Sequence, residues 1–228
     1  MIKERLEQIK ERIRKAAEKS GRNPKDIRLV AVSKTMSADK VRAAIEAGAD
    51  ILGENYIQEA GEKIGQLSGY PASWHFIGHL QRNKAKYAVR LFDLIHSVDS
   101  LKLARELDKQ AAKIGKVQDI LVQINIGEEA SKSGAHSEEA ESLIRDIGLL
   151  ENLSVKGLMS IPPFYNEPEK VRPCFSRLRE LRDATERAAL PNISMHELSM
   201  GMTGDFETAI GEGATLVRIG TAIFGERG

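Results

Sequence analysis

The chain opens on a helical pattern and then alternates. Ile2, Leu6, Ile9, Ile13 and Ala16 recur at helical spacing and form one apolar stripe, which Gly21 and Pro24 bring to an end. Short apolar runs follow at 27–34, 50–55, 74–79, 94–98, 120–126, 155–161, 193–199 and 215–219. Longer amphipathic stretches separate them, for example 101–114, 138–150 and 171–189, and Ser37 and Ser100 stand where N-caps are expected. Strands alternating with helices imply a parallel sheet with right-handed crossovers. Eight such units in 228 residues predict a (β/α)8 TIM barrel with an extra N-terminal helix.

A doubly wound open sheet is the competing architecture. It normally carries a glycine-rich phosphate turn after its first strand, and here that turn is Lys34-Thr35-Met36-Ser37, without glycine. No repeat, low-complexity tract or Pro/Gly-rich linker divides the chain. Residues 1–228 therefore read as a single barrel domain, with 1–20 a helix packed on it.

Composition narrows the functional classes. With 41% hydrophobic residues there is enough apolar side chain for one sizeable core. Lys plus Arg number 34 against 33 Asp plus Glu, a balance that argues against nucleic acid or an anionic membrane as partner. The single cysteine, Cys174, can form no intramolecular disulfide and reads as a packing residue in a reducing compartment. The first 19 residues are densely charged, and Glu4, Glu7 and Glu11 are foreign to a transit peptide. With no apolar run of membrane-span length, the expectation is a cytoplasmic protein, and a compact barrel of this kind can stand as a monomer.

In a (β/α)8 barrel the chemistry sits at the carboxyl ends of the strands, and phosphate often binds after the last two. Lys34 closes the first apolar run; an ε-amine at such a position loses its proton more easily and can form a Schiff base with an aldehyde. The other strand ends carry Glu54-Asn55, Gly78-His79, Asp99, Asn125, Met159-Ser160, Ser199-Met200-Gly201 and Gly220-Thr221. The last two clusters combine glycine, which lets backbone N–H groups turn toward an anion, with hydroxyl donors. In the final run Leu216, Arg218 and Gly220 share one face. An inward Arg218 needs a partner, either a carboxylate of the protein or a cofactor ring nitrogen. A phosphate anchor, a Schiff-base lysine and an inward arginine together describe a site for pyridoxal 5′-phosphate. His75 and His79 are four apart, a spacing that suits a metal on a helix but not on a strand, so no metal is expected.

Several motifs carry a resemblance. Ala31-Val32-Ser33-Lys34, Gly53-Glu54-Asn55-Tyr56, the run 75–84, Asn125-Ile126-Gly127, Lys132-Ser133-Gly134, the run 157–162 and both closing clusters resemble the YggS/PROSC family, the pyridoxal phosphate homeostasis proteins. The resemblance runs from about residue 2 to the C-terminus. It implies the fold-type III barrel of the alanine racemase N-terminal domain, with the cofactor held as a Schiff base on Lys34. It further implies that Ser199, Gly220 and Thr221 hold the phosphate, that Arg218 faces the pyridine nitrogen, and that Asn55, Met159 and Met200 line the pocket. Thr203 replaces an expected serine and keeps the hydroxyl.

An arginine at the ring nitrogen weakens the electron sink of pyridoxal chemistry, as in alanine racemase. Racemisation also needs an acid–base group on the second face, which the racemase draws from a second domain and subunit. This chain closes just after Phe224-Gly225, so we expect no such domain, and Tyr56 and Tyr165 read as ordinary loop residues. The leading expectation is a protein that buffers or delivers pyridoxal phosphate, with little or no turnover and with apo-enzymes as recipients. The alternative is a pyridoxal-phosphate-dependent amino-acid racemase or related fold-type III enzyme. Lys84, Lys86 and Lys132 are further loop lysines that an aldehyde could meet.

Overall fold

Eight parallel strands close into a barrel in the computed structural model, which describes residues 1–127, 133–163, 165–188 and 190–225. The chain enters through α1 (Ile2–Lys19), then β1 (Arg28–Val32), α2 (Ala38–Glu46), β2 (Ile51–Glu54) and α3 (Ile57–Gln66). It continues through β3 (Ser73–Phe76), α4 (Ala85–Leu91), β4 (Leu94–Val98), α5 (Leu101–Ala112) and β5 (Gln118–Asn125). A two-residue strand, β6 (Ala135–His136), precedes α6 (Ala140–Gly148), β7 (Leu153–Met159) and α7 (Arg172–Arg187). The last elements are β8 (Ile193–Ser199), α8 (Phe206–Gly211), β9 (Leu216–Ile219) and α9 (Thr221–Phe224).

Around the barrel the order is β1-β2-β3-β4-β5-β7-β8-β9, with β9 returning to β1. The short β6 pairs only with β5 and lies outside the ring. The open doubly wound alternative is thereby excluded. Ser37 and Ser100 cap α2 and α5 as expected, their hydroxyls accepting the Lys40 and Leu103 N–H groups at 3.4 Å.

Strand alternation sorts the apolar residues into two cores. Val30, Ile51, Leu94, Leu121, Met159 and Leu216 form one cluster, drawn from six different strands. Their sequence neighbours Ala31, Leu52, Ile95, Ile120, Leu158 and Val217 join the helices in the other. The first cluster is therefore the plug inside the barrel and the second is the layer between barrel and helices. Helix α1 contributes Leu6, Ile9, Ile13 and Ala17 to that outer layer and packs against α2, α8 and α9.

Candidate functional site

Lys34 stands where the sequence pattern places it, just past the end of β1. It is half-buried and lines a small cleft with Val32, Met36, Gly220, Thr221 and Phe224. The β1–β9 ladder, with Val30 opposite Arg218, brings these distant segments together. The next residue, Thr35, has φ of 65°, a left-handed conformation unusual for a β-branched side chain. The chain therefore reverses sharply just after the lysine.

Below the mouth lies a buried polar chain. Arg218 is 4% exposed and shares the interior face with Leu216. Its Nη1 donates to the Ser199 hydroxyl at 2.5 Å and its Nη2 to the Ser160 carbonyl at 2.8 Å. His96 Nδ1 lies 2.9 Å from Ser199 Oγ, and His96 Nε2 lies 2.9 Å from His75 Nδ1. Burial pulls the Arg218 guanidinium down to about 10, against a weaker pull upward from the Asp205 carboxylate. Burial likewise holds His75 at about 4 and His96 well below the ordinary imidazole range. Both of the partners that accept from Arg218 are neutral, so the carboxylate left open by the sequence is not what satisfies it. The site holds a desolvated positive charge, which an anionic ligand would complement.

The strand ends around this chain hold polar atoms waiting for partners. Ser160 Oγ, just past β7, and Asn55 Oδ1, just past β2, are buried without a hydrogen-bond partner. Asn55 also lines a cleft with Tyr56, Phe76, His79, Gln81 and Lys84. His79 is mostly exposed there, 3.4 Å from Ser133 Oγ and 3.9 Å from Asp99. At the end of β8, Gly201 has φ of 89°, and a Cβ on it would come within 2.6 Å of Ala209 Cβ. The Met202 N–H closes the same turn on Asp205 at 2.6 Å. A buried cation, orphaned acceptor and hydroxyl atoms, a lysine and a glycine–threonine turn fit a ligand with an anionic group, ring heteroatoms and a carbonyl. Pyridoxal phosphate has all three.

The structure brings Lys34, Gly220 and Thr221 to one cleft, and Ser199 and Arg218 into direct contact. Met159 is fully buried in the barrel plug. The Met200 side chain lies in the outer layer between barrel and helices, so a lining role for Met200 falls to its backbone. Alternation explains this, because Ser199 points inward and the next residue must point outward. The sequence reading named Ser160 at a strand end but gave it no task, and it missed His75 and His96 as members of the inner chain. The paired histidines announce themselves only once β3 and β4 are neighbours. Tyr56 and Tyr165 are exposed loop residues. Lys132 lies outside the described residues. Among the described residues no group of three or more His, Cys, Asp or Glu side chains comes together to hold a metal, and no helix is long and apolar enough to cross a membrane.

A closed parallel barrel with a lysine after its first strand and an anion-ready arginine inside its last defines the racemase-type barrel class. The family described as alanine racemase, N-terminal domain, matches residues 5–228. A pyridoxal phosphate homeostasis protein of Aquifex aeolicus is 46% identical over 224 residues, covering 98% of this chain and 97% of that one. One from Pseudomonas aeruginosa is 44% identical, over 99% of this chain and 96% of its own. The structure of PipY from Synechococcus elongatus with pyridoxal phosphate bound superposes with a TM-score of 0.87 at 34% identity, covering 99% of this chain and all of PipY. The chain belongs to the alanine racemase N-terminal domain family, and within it to the pyridoxal phosphate homeostasis proteins.

Proposed function

We propose that this protein binds pyridoxal 5′-phosphate and takes part in intracellular pyridoxal phosphate homeostasis, as a buffer or a carrier toward apo-enzymes, with little or no turnover. The observation that carries the reading is Arg218, a buried guanidinium whose hydrogen-bond partners are neutral, beneath a mouth that holds Lys34, Gly220 and Thr221. Its likeness to PipY, whose structure contains the cofactor, supports the same ligand.

Each residue has a distinct task in this reading. Ser199, Gly220 and Thr221 would hold the phosphate, Ser199 and the exposed Thr221 as hydroxyl residues. Arg218, fixed in direction by Ser199 and Ser160, would face the ring nitrogen as a donor, and Asn55 would offer its unpaired Oδ1. The ε-amine of Lys34 would hold the aldehyde as a Schiff base, one C=N bond replacing C=O with release of one water. Bound there, the cofactor supplies an aldehyde that captures amines reversibly and a ring that withdraws electrons. An arginine that keeps its proton leaves the ring nitrogen unprotonated, which blunts the second property and favours holding over turnover. The proposed setting is the cytoplasm, and the proposed state is a monomer.

The purified protein is expected to show a visible absorption band that borohydride abolishes, with the reduced label on Lys34. Lys34→Ala is expected to lose that band, and a labelled adduct persisting in the variant would overturn the assignment. The rival, an amino-acid racemase, predicts Lys34-dependent incorporation of solvent deuterium at the α-carbon of an amino acid; we expect none.

A further inference from the structure

We infer that Lys63, clamped between Glu54 and Glu59, is a positioning residue that sets the direction of Lys34; the inference rests on the reading of Lys34 given above. Lys63 lies on α3, is 5% exposed, and spends its three protons on three acceptors. Its Nζ donates to the Ser33 carbonyl at 2.6 Å, to Glu54 Oε1 at 2.8 Å and to Glu59 Oε1 at 2.6 Å. Glu54 is fully buried and also accepts from the Ser33 hydroxyl at 2.6 Å. The Thr35 N–H donates to Glu59.

These bonds converge on the two neighbours of Lys34. Ser33 has its N–H tied to the Gly53 carbonyl at 3.0 Å, its carbonyl to Lys63 and its hydroxyl to Glu54. Thr35, in its left-handed conformation, is held by Glu59. The backbone on both sides of Lys34 is therefore fixed by one ammonium and two carboxylates, all belonging to β2 and α3. The Lys34 Cα–Cβ bond can point only where that clamp allows.

Stability alone is a poor reason for such a cluster. Burying an ammonium with two carboxylates costs desolvation that an apolar group of the same volume would avoid. Glu54 records the cost: burial pushes its carboxyl up against the opposing pull of Lys63, and its Oε2 has no hydrogen-bond partner. Simple tethering of α3 to the barrel would be served as well by another leucine. A clamp with fixed hydrogen-bond directions serves the orientation of a residue that must meet a carbonyl carbon in line. Small errors in such a geometry are expensive in rate.

The test uses the full-length protein and compares Lys63→Met, Lys63→Arg and Glu59→Ala with the wild type. Pyridoxal phosphate is titrated, the adduct is trapped with borohydride, and labelled lysines are mapped. Affinity for inorganic phosphate is measured beside it, to read the anion site alone, together with the thermal midpoint. Lys63→Met should lower adduct formation at Lys34 by about tenfold or more, while phosphate affinity stays within about twofold. Lys63→Arg should restore part of the loss. Glu59→Ala, which releases the Thr35 N–H and removes one of the three Lys63 acceptors while leaving buried Glu54 paired with Lys63, covers the case in which Lys63→Met does not fold; it should lower the adduct by about threefold or more. An unchanged adduct with a lower thermal midpoint would show a tether only and overturn the inference. A fall in phosphate affinity matching that of the adduct would overturn it too, as a general loosening of the mouth. A wild type that forms no adduct at Lys34 would overturn the functional reading itself, and this inference with it.

Discussion

His75 and His96 are held neutral by the barrel interior. Burial dominates for both; for His75 the repulsion from Arg28 adds to it and outweighs the attraction of Asp93. A neutral histidine that titrates at about 4 binds fewer protons in the native state than in the unfolded chain, where its pKa is 6.5. Its contribution is thus complete above pH 6.5 and is lost as the pH falls toward 4. For His75 alone that amounts to about 3 kcal/mol. Glu54, raised by burial, works in the opposite sense: it favours the native state at low pH and withdraws that contribution as it ionises. Urea unfolding at a series of pH values from 7.5 down to about 4.5 should therefore show a declining free energy, and His75→Gln should flatten the decline. A slope in the variant equal to that of the wild type would sink the assignment. Neither histidine was legible as a pair in the sequence, because 21 positions separate them and only the β3–β4 pairing makes them neighbours.

At the level of elements, α1 has a structural task that its position at the start of the chain disguises. The helix after the last strand, α9, has only four residues, too short to cover β9 and β1 as the other helices cover their strands. Helix α1 packs on α2, α8 and α9 and lays Leu6, Ile9 and Ile13 over that gap. Leu6 is fully buried in the outer layer, so Leu6→Ala should cost about 2–5 kcal/mol in chemical unfolding. A loss below about 1 kcal/mol would mean that α1 is a peripheral appendage. The periodicity of this helix was plain in the sequence, and so were the strands at 94–98 and 193–199, whose edges coincide with β4 and β8. Elsewhere apolar runs overshot the strands, as at 74–79 against Ser73–Phe76, because loop residues at the mouth are also buried. The strand β6 left no trace, since two residues carry no period.

For the whole molecule, closure of the barrel is what turns scattered strand ends into one site. The rule that chemistry collects at the carboxyl ends pointed to Lys34 and Gly220-Thr221 as candidates, and strand alternation pointed to Arg218. What it could not supply was the partner of Arg218, because Ser160 and Ser199 are far from it along the chain and no local pattern links them. Their neutrality leaves the buried guanidinium with only the weaker pull of the Asp205 carboxylate against its desolvation, and a ligand that accepts from it would ease that burden in the native state only. A ligand present at about 100 times its Kd adds about 2.7 kcal/mol, which for a chain of this size is a rise of about 5–10 °C in Tm. Arg218→Leu takes away both the charge and its complement. Without ligand the variant should be between equally stable and about 2 kcal/mol more stable than the wild type. With pyridoxal phosphate added, its Tm should rise far less than that of the wild type, while the rise with inorganic phosphate, which reads the anion site alone, should be kept. Thermal melts of both proteins, with and without each anion, read the two effects separately. A variant that is several kcal/mol less stable yet keeps the full rise with pyridoxal phosphate would place Arg218 in the scaffold and the cofactor ring elsewhere.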